Sequence, residues 1–254
     1  MLINKERKRS ALIANYWQEK SSTGIAWQLC WKPVCSSTES YLSRWLFEKP
    51  FTGDNQHPRA FIAGRQTHGK GQRGRVWLSP KGGVWISAAL PFLGHKQSTG
   101  LFGLAVAFSM AERLESRKIP VQIKWPNDLL VFGKKLAGFL PGLIHRGQSL
   151  KLARVGIGLN VNNKVPDNGI SLSKLLEPNQ CHPCEWAGEV LLALDRAMEL
   201  FEKEEFFYLE AQKRLWSKEV VDPNSGDIWE IEGLDKSGAL KLKKDNEKML
   251  LTRW

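Results

Sequence analysis

The segment GRQTHGKGQRGRVW (64–77) combines glycines with cationic side chains and contains no acidic residue. Its glycines, at positions 64, 69, 71 and 74, lack the Cβ atoms that would keep a ligand away from the backbone N–H groups. Lys70, Arg73 and Arg75 add positive charge around the same backbone. The segment therefore predicts a loop that binds an anion. A basic surface loop without a ligand is an equally good interpretation of this stretch alone, because its G-x-G-x-x-G letters lack the acidic residue expected further along a dinucleotide-binding fold.

A second group of chemically active residues lies in VQIKWPNDLLVFGKKLAG (121–138). Lys124 ends an alternating strand pattern, and Trp-Pro-Asn-Asp (125–128) forms a turn that continues neither a helix nor a central strand. Lys134 and Lys135 follow in a turn that begins with glycine. Each feature alone fits an ordinary hairpin with a tryptophan in the core. Their combination within one short segment predicts a second polar site.

The charges are unevenly distributed along the chain. The formal net charge is +11, yet no acidic residue occurs between Asp54 and Glu112 or between Asp128 and Asp167, where Lys and Arg are frequent. A solvated surface normally mixes both signs. If the fold brings the two stretches together, they form a concentrated positive pocket, which suits phosphates or carboxylates better than a long duplex.

The composition indicates a globular protein of one large domain with a small appendage. The chain has 254 residues, of which 42% are hydrophobic. The apolar run FGLAVAF (102–108) is too short to cross a membrane, and the N-terminal apolar stretch stops at Asn15, too early for a signal peptide. We therefore expect a cytoplasmic protein. Two cysteine pairs, Cys30 with Cys35 and Cys181 with Cys184, fit reduced thiols better than a zinc site.

The hydrophobic periodicity predicts an α+β fold in three parts. A basic amphipathic helix occupies residues 1–24, a large mixed domain residues 25–220, and a small β-domain residues 221–254. In the large domain we expect strands at 25–31, 60–63, 83–90, 121–125, 129–132, 136–144 and 150–161, and helices at 41–49, 100–116 and 185–216. The small domain follows a turn-rich linker at 221–226 and contains predicted strands at 227–232, 239–243 and 248–253.

The motifs together resemble the biotin protein ligases. The resemblance rests on Ser37-Thr38 before the first helix of the large domain, on Gln66-Thr67 with GKGQRGRVW (69–77), and on KWPND (124–128) with KLAG (135–138). It continues through GIGLN (156–160) to GLDKSGAL (233–240). These motifs occur in the order and spacing of that family over residues of about 25 to 245. No single motif has to carry the assignment.

The resemblance implies a class II synthetase-like catalytic domain, in which helices flank a mixed β-sheet, and a small SH3-like β-barrel at the C-terminus. It also implies a reaction in two steps. Biotin's carboxylate attacks the α-phosphate of ATP to give biotinyl-5′-AMP and pyrophosphate, and a lysine of a biotin carboxyl carrier protein, usually that of acetyl-CoA carboxylase, then takes the biotin. Mg²⁺ is expected with ATP. A homodimer is compatible with the sequence.

Roles carry over from the resemblance position by position. Lys135 matches a lysine that contacts the biotin carboxylate and the α-phosphate, and Lys124 and Asp128 complete the expected catalytic set. Asp128 either orients the loop or helps to deprotonate the incoming lysine. The expected biotin site comprises Ser37, Thr38, Gln66, Gly69, Lys70, Lys135, Gly138 and Gly156. The expected nucleotide site comprises Lys70, Gly71, Gln72, Arg73, Arg75, Trp77, Asn127 and Asn160. No residue is expected to form a metal site of its own.

The sequence departs from the family pattern at three places. Gln72 stands where many members have arginine, which removes a charged donor unless Arg73 and Arg75 compensate. Glu39 stands where asparagine is frequent after Ser-Thr, which weakens any ligand role for that position. Phe139-Leu140-Pro141 replaces the usual continuation of its strand, so we expect that strand to end early.

Two alternatives remain open from the sequence. A lipoate or octanoate ligase or transferase shares the implied fold and also has a lysine near the acyl carbonyl. A nucleic-acid-binding module would account for the net positive charge and the eleven tryptophans. Against DNA binding, family members that double as repressors carry a helix-turn-helix domain, and the 24 residues before the first predicted strand are too few for one. We therefore expect a ligase without operator binding.

Overall fold

The computed structural model describes residues 2–22, 26–51, 56–94, 99–146, 149–203, 206–223 and 225–252. Its elements in chain order are α1 (Leu2–Lys20), β1 (Gln28–Lys32), α2 (Thr38–Glu48), β2 (Arg59–Ala63), β3 (Val84–Gly94), α3 (Thr99–Glu115), β4 (Gln122–Lys124), β5 (Asp128–Val131), β6 (Lys134–Arg146), β7 (Ser149–Leu159), α4 (Pro183–Glu202), α5 (Phe207–Gln212), β8 (Glu219–Val221), β9 (Ile228–Leu234), β10 (Leu240–Lys244) and β11 (Glu247–Leu251). Ile25, Asn224 and Arg253, which fall within predicted segments, lie outside the described residues.

The large domain is built on a seven-stranded sheet in the order β1-β2-β3-β7-β6-β5-β4. β1 and β2 are parallel, and the other neighbours are antiparallel. Successive side chains of a strand point to opposite faces, so each long strand serves two layers. In β7, Val155 and Ile157 pack into the main core with α1, α3 and α4, whereas Leu152 packs with α2 on the other face. The predicted mixed sheet flanked by helices is therefore confirmed.

Three predicted elements differ from the structure. β6 does not end early at Pro141 but continues to Arg146, because beyond Gly138 it pairs with β7 alone and an edge tolerates a residue without an N–H. The helical region predicted at 185–216 is divided into α4 and α5. The C-terminal sheet contains a further strand, β8, and is four-stranded and antiparallel in the order β11-β10-β9-β8.

The turn between β9 and β10 joins the C-terminal sheet to the large domain. Trp125 Nε1 donates a hydrogen bond to the Gly238 carbonyl oxygen at 2.9 Å. Gly238 has φ of +79°, and a Cβ atom there would lie 3.0 Å from backbone atoms of Gly100 and Leu101 at the start of α3. Only glycine therefore permits this approach. Trp125 of the KWPND segment therefore links the seven-stranded sheet to the C-terminal sheet through this hydrogen bond.

The N-terminal helix α1 is anchored on α4 and α3. Tyr16 Oη donates to Glu189 Oε1 at 2.6 Å, and the Glu189 carboxylate also pairs with Arg113 and Arg117. The Glu189 side chain is only 3% exposed, so these partners offset the cost of burying its charge. Within the described part of the chain, no helix has the length and hydropathy to cross a membrane.

Candidate active site

A cavity of about 380 Å³ lies on the α2 side of the seven-stranded sheet. It brings the glycine-rich segment 64–77 and the segment 121–138 to one place. Most of the predicted site residues line it, namely Ser37, Thr38, Gln66, Lys70, Gly71, Gln72, Arg75, Trp77, Asn127, Asp128, Lys135, Gly138, Gly156 and Asn160. The predicted meeting of two acid-free stretches in one pocket is therefore observed.

The floor of the cavity is formed by β3, β7 and β6, whose paired residues face it in rows. In strand register these rows are Trp85–Gly158–Gly138, then Ser87–Gly156–Leu140, then Ala89–Arg154–Gly142. The residues of these rows that line the cavity are Gly138, Gly158, Ser87, Gly156 and Leu140. Neighbouring rows are two residues apart, about 6.7 Å along a strand. Because Gly138, Gly156 and Gly158 have no side chains, they leave space above this part of the sheet.

A cluster of hydroxyl and amide groups lies above the middle row. Thr38 donates to Gln66 Oε1 from its backbone N at 2.7 Å and from Oγ1 at 3.0 Å. Gln66 Nε2 donates to Ser79 Oγ at 2.8 Å, and the Thr38 and Ser87 hydroxyls share a hydrogen bond of 2.8 Å. Ser37 precedes α2 without capping it through its side chain, which leaves its hydroxyl for a ligand. The side chains of this cluster are polar and uncharged.

The glycine-rich segment forms a short hairpin at the cavity mouth. Lys70 and Val76 form a bridge, Gly71 N donates to Arg75 O at 2.7 Å, and Trp77 N donates to Gly69 O at 2.9 Å. The hairpin turns at Gln72–Gly74, with Arg73 at φ 54°. Because the N–H groups of Gly71 and Trp77 donate hydrogen bonds within the hairpin, they are not available to a ligand in this arrangement. The positive charge that the hairpin contributes to the cavity comes from the side chains of Lys70 and Arg75.

The indole of Trp77 covers the first floor row. A Cβ atom at Gly158 would lie 2.5 Å from this ring, and one at Gly138 would lie 2.9 Å from it. The indole Nε1 is buried and makes no hydrogen bond within the described part of the chain. The two glycines are therefore needed for the ring to lie on the sheet.

Lys135 lies between this ring and a carboxylate. Its Nζ is 2.7 Å from Asp128 Oδ2 and 4.7 Å from the centre of the Trp77 ring. The second carboxylate oxygen, Asp128 Oδ1, is buried and accepts no hydrogen bond from the residues that the structure describes. The ammonium group is therefore held at a fixed place in the cavity wall by a salt bridge and a cation–π contact.

The cavity wall has more positive than negative charge. Lys70, Arg75, Lys135 and Lys164 line it, against the carboxylates Glu39 and Asp128. Both carboxylates are already paired, Glu39 with Arg154 and Asp128 with Lys135. An anionic ligand would therefore meet a net positive surface at the end where Lys135 lies.

Three predicted residues take other positions. Lys124 does not line the cavity, and its Nζ lies 5.2 Å from the centre of the Trp216 ring. Arg73 is at the exposed tip of the hairpin. Gly69 is buried, and a Cβ atom there would lie 2.6 Å from Ser79 Oγ, so its role is close packing under the hairpin.

Ser87 and Lys164 are among the cavity residues that the site prediction missed. Ser87 is a single hydroxyl inside the apolar strand GVWISAAL, and that break in an apolar run is the signal that could have identified it. Lys164 follows GIGLN in an irregular segment, and no local pattern distinguishes it from other lysines. Asn160 Nδ2 donates to the Lys135 carbonyl oxygen at 3.3 Å, so Asn160 also supports the backbone of Lys135.

The cysteines are free thiols. Burial raises the pKa of Cys35 to about 11, which disfavours its thiolate. Cys35 packs with α2, whereas Cys181 belongs to the main core, so the two cysteine pairs do not converge. Across the described ranges, no group of three or more His, Cys, Asp or Glu side chains has the arrangement of a metal site.

The chain is similar to known proteins of one family. Residues 31–162 match the model of the biotin/lipoate A/B protein ligase family. The Escherichia coli bifunctional ligase/repressor BirA is 34% identical over 233 residues, covering 84% of this chain and 68% of that protein. The Bacillus subtilis BirA is 37% identical over 108 residues, a match to 42% of this chain. The chain spans only about a third, 33%, of the length of the Bacillus relatives that it matches.

A solved structure shows the same fold. The biotin protein ligase of Aquifex aeolicus, in complex with biotin and ATP, superposes with a TM-score of 0.69 at 24% identity, covering 89% of this chain and 96% of that one. The seven-stranded sheet with its flanking helices is therefore the fold of that structure. The chain belongs to the biotin/lipoate A/B protein ligase family. Its named relatives include biotin protein ligases, among them the Paracoccus denitrificans biotin--[acetyl-CoA-carboxylase] ligase at 34% identity over 146 residues, so the resemblance read from the motifs is confirmed.

Proposed function

We propose that this chain is an ATP-dependent biotin protein ligase that forms biotinyl-5′-AMP and transfers biotin to a lysine of a biotin carboxyl carrier protein. The observation that carries the proposal is the division of the cavity into two ends. A neutral cluster of hydroxyl and amide groups lies at one end, and Lys135 with further cations lies at the other. This matches a ligand with a neutral polar head and an anionic tail that must meet a polyphosphate.

The first step joins two anions that repel each other. An oxygen of the biotin carboxylate attacks the α-phosphorus, a new P–O bond forms, and the bond to the β-phosphate breaks to release pyrophosphate. Lys135 is the group best placed to offset the charge at that centre, with Lys70 and Arg75 on the hairpin that also lines the cavity. The step needs positive charge and alignment and no protein nucleophile.

The second step needs the acceptor lysine in its neutral form. Its amine nitrogen attacks the biotinyl carbonyl carbon, AMP leaves, and the amine gives up a proton. The 2.7 Å contact between Asp128 and Lys135 supports a role that the sequence did not suggest, the positioning of Lys135. Its buried, unpartnered Oδ1 also leaves one acceptor available for the departing proton.

Magnesium is proposed to enter with ATP as part of the substrate. Mg²⁺ is commonly held by substrate phosphates together with one or two carboxylates. In the cavity wall, Asp128 Oδ1 is buried and has no hydrogen-bond partner among the described residues, so Asp128 fits that need. A homodimer, a cytoplasmic location and the absence of DNA binding stay predictions from the sequence.

The first experiment compares acyl substrates. Exchange of labelled pyrophosphate into ATP is measured with biotin, lipoate or octanoate, and mass spectrometry follows a carrier domain incubated with ATP, Mg²⁺ and each acid. Biotin-dependent exchange and a biotinylated carrier are expected. Exchange that depends on lipoate or octanoate instead would assign the chain to the other branch of the family. Salt-sensitive binding of DNA without any exchange would favour the nucleic-acid-binding alternative.

A further inference from the structure

An ion pair lies next to the cluster of hydroxyl and amide groups, and one of its members, Glu39, lines the cavity. Arg154 Nη2 donates to Glu39 Oε1 at 2.6 Å and to Ser43 Oγ at 2.8 Å. Ser43 Oγ donates in turn to the Glu39 carbonyl oxygen at 2.8 Å. The pair therefore fastens the first turn of α2 to β7.

The floor of the cavity accounts for the position of this pair. Along the cavity face of β7, Gly158 and Gly156 are followed by Arg154, whose cross-strand neighbours are Ala89 and Gly142. From this position the guanidinium group reaches Glu39 and Ser43 in α2. The space that the glycines leave above β7 therefore ends at the Arg154 side chain.

Glu39 is the member of the pair that faces the ligand space. It lines the cavity and directly follows Thr38, whose hydroxyl belongs to the cluster above the middle row. One carboxylate oxygen holds Arg154, and the other accepts no hydrogen bond from any residue that the structure describes. A carboxylate is an acceptor only, so it favours a ligand head that carries N–H groups.

We propose, as an extension of the proposed function, that Glu39, held in place by Arg154, determines specificity at the end of the acyl site that contains the hydroxyl and amide cluster. Its free oxygen accepts an N–H of the ureido ring, and the ion pair leaves no space for a substituent on that nitrogen. The dithiolane of lipoate and the alkyl end of octanoate offer no such donor. A site built around a hydrogen bond rejects ligands that lack it, because its own polar group is left unpaired.

The test compares adenylate formation with biotin and with biotin methylated at a ureido nitrogen. Glu39→Ala, Glu39→Gln and Arg154→Met are measured beside wild type. Glu115→Ala and Arg214→Met are the matched controls, because the Arg214–Glu115 pair at 2.8 Å has similar exposure but lies away from the cavity. We expect Glu39→Ala to lower the preference for biotin, as a ratio of kcat/KM values, by about tenfold, the low end for one methyl group in a pocket. The change is expected mainly in KM, and the controls should keep the wild-type preference.

The conservative variants keep the test decisive if Glu39→Ala does not fold. Glu39→Gln and Arg154→Met retain side-chain volume, and each should lower the preference in the same direction by a smaller factor. A wild-type preference in all folded variants, with biotin still used, overturns this inference and leaves the proposed function standing. If wild type shows no exchange with biotin, the proposed function itself fails.

Discussion

The Lys135 ammonium lies 2.7 Å from the Asp128 carboxylate, with the Trp77 ring 4.7 Å from it on another side. These residues come from three segments that the sheet and the hairpin bring together. A charge held in this way needs little reorganisation when an anionic substrate arrives, which is the condition for effective electrostatic stabilisation. Lys135, as the cationic member of this pair, is therefore the first residue to mutate.

Lys135→Ala is expected to lower kcat/KM for adenylate formation by at least about tenfold, because it removes a contact that strengthens as charge develops. Pyrophosphate exchange measures the effect. Lys134→Ala is the control, since Lys134 is exposed, adjacent in β6 and not part of the cavity wall. Equal activity of the two variants would remove Lys135 from the proposed catalytic set.

Gly158→Ala is expected to displace the Trp77 indole, because the new Cβ atom would lie 2.5 Å from the ring. Overpacking of this kind costs about 1–3 kcal/mol, and we expect the low end because the ring lies at the base of an exposed hairpin. The free energy of unfolding and the affinity for biotin are the measurements. Gly142→Ala on β6 is the control, since a Cβ atom there meets nothing within 4 Å. If both variants behave alike, the ring does not depend on this glycine.

Glu189→Ala is expected to destabilise the fold by about 2–3 kcal/mol, because it leaves Arg113 and Arg117 without their shared carboxylate. We place the loss below that of a fully buried pair, since the two arginine side chains are 34% and 31% exposed. Chemical denaturation measures it. On the same helix, Glu199→Ala removes a 40% exposed partner of Arg196 and should change stability by no more than about 0.5 kcal/mol.

The raised pKa of Tyr16 predicts that the folded protein loses stability at alkaline pH. Burial, followed by the hydrogen bond to Glu189, raises the pKa of Tyr16 above its ordinary value of 10.0. The unfolded chain therefore releases this proton first, so the contribution is complete below about pH 10 and declines as pH rises above that value. Tyr16→Phe should be less stable than wild type by about 1 kcal/mol near neutral pH. Urea unfolding at a series of pH values should show the gap narrowing above about pH 10, and a gap independent of pH would contradict the assignment.

Local patterns were sufficient for much of the fold and part of the site. Short apolar runs predicted β2 and β3, and Ser37 marked the start of α2, because buried strands and helix capping are visible in near neighbours along the chain. The glycine-rich segment and KWPND-KLAG were recognisable for the same reason, since turn chemistry is local. The continuation of β6 past Pro141 was not predictable, because it depends on where β5 stops pairing.

The sequence by itself determined which residue types are available: a basic glycine-rich hairpin, paired lysines and a Ser-Thr helix start. Only the tertiary structure decided which of them meet. β4 exposes Lys124 and buries Ile123, which turns Lys124 toward Trp216, whereas the pairing of β5 with β6 brings Lys135 to Asp128. The same sheet register joins Glu39 to Arg154 across 115 positions and places Ser87 under Thr38. Such contacts depend on strand register, in which a shift of one residue turns every side chain to the other face, and no local pattern contains that information.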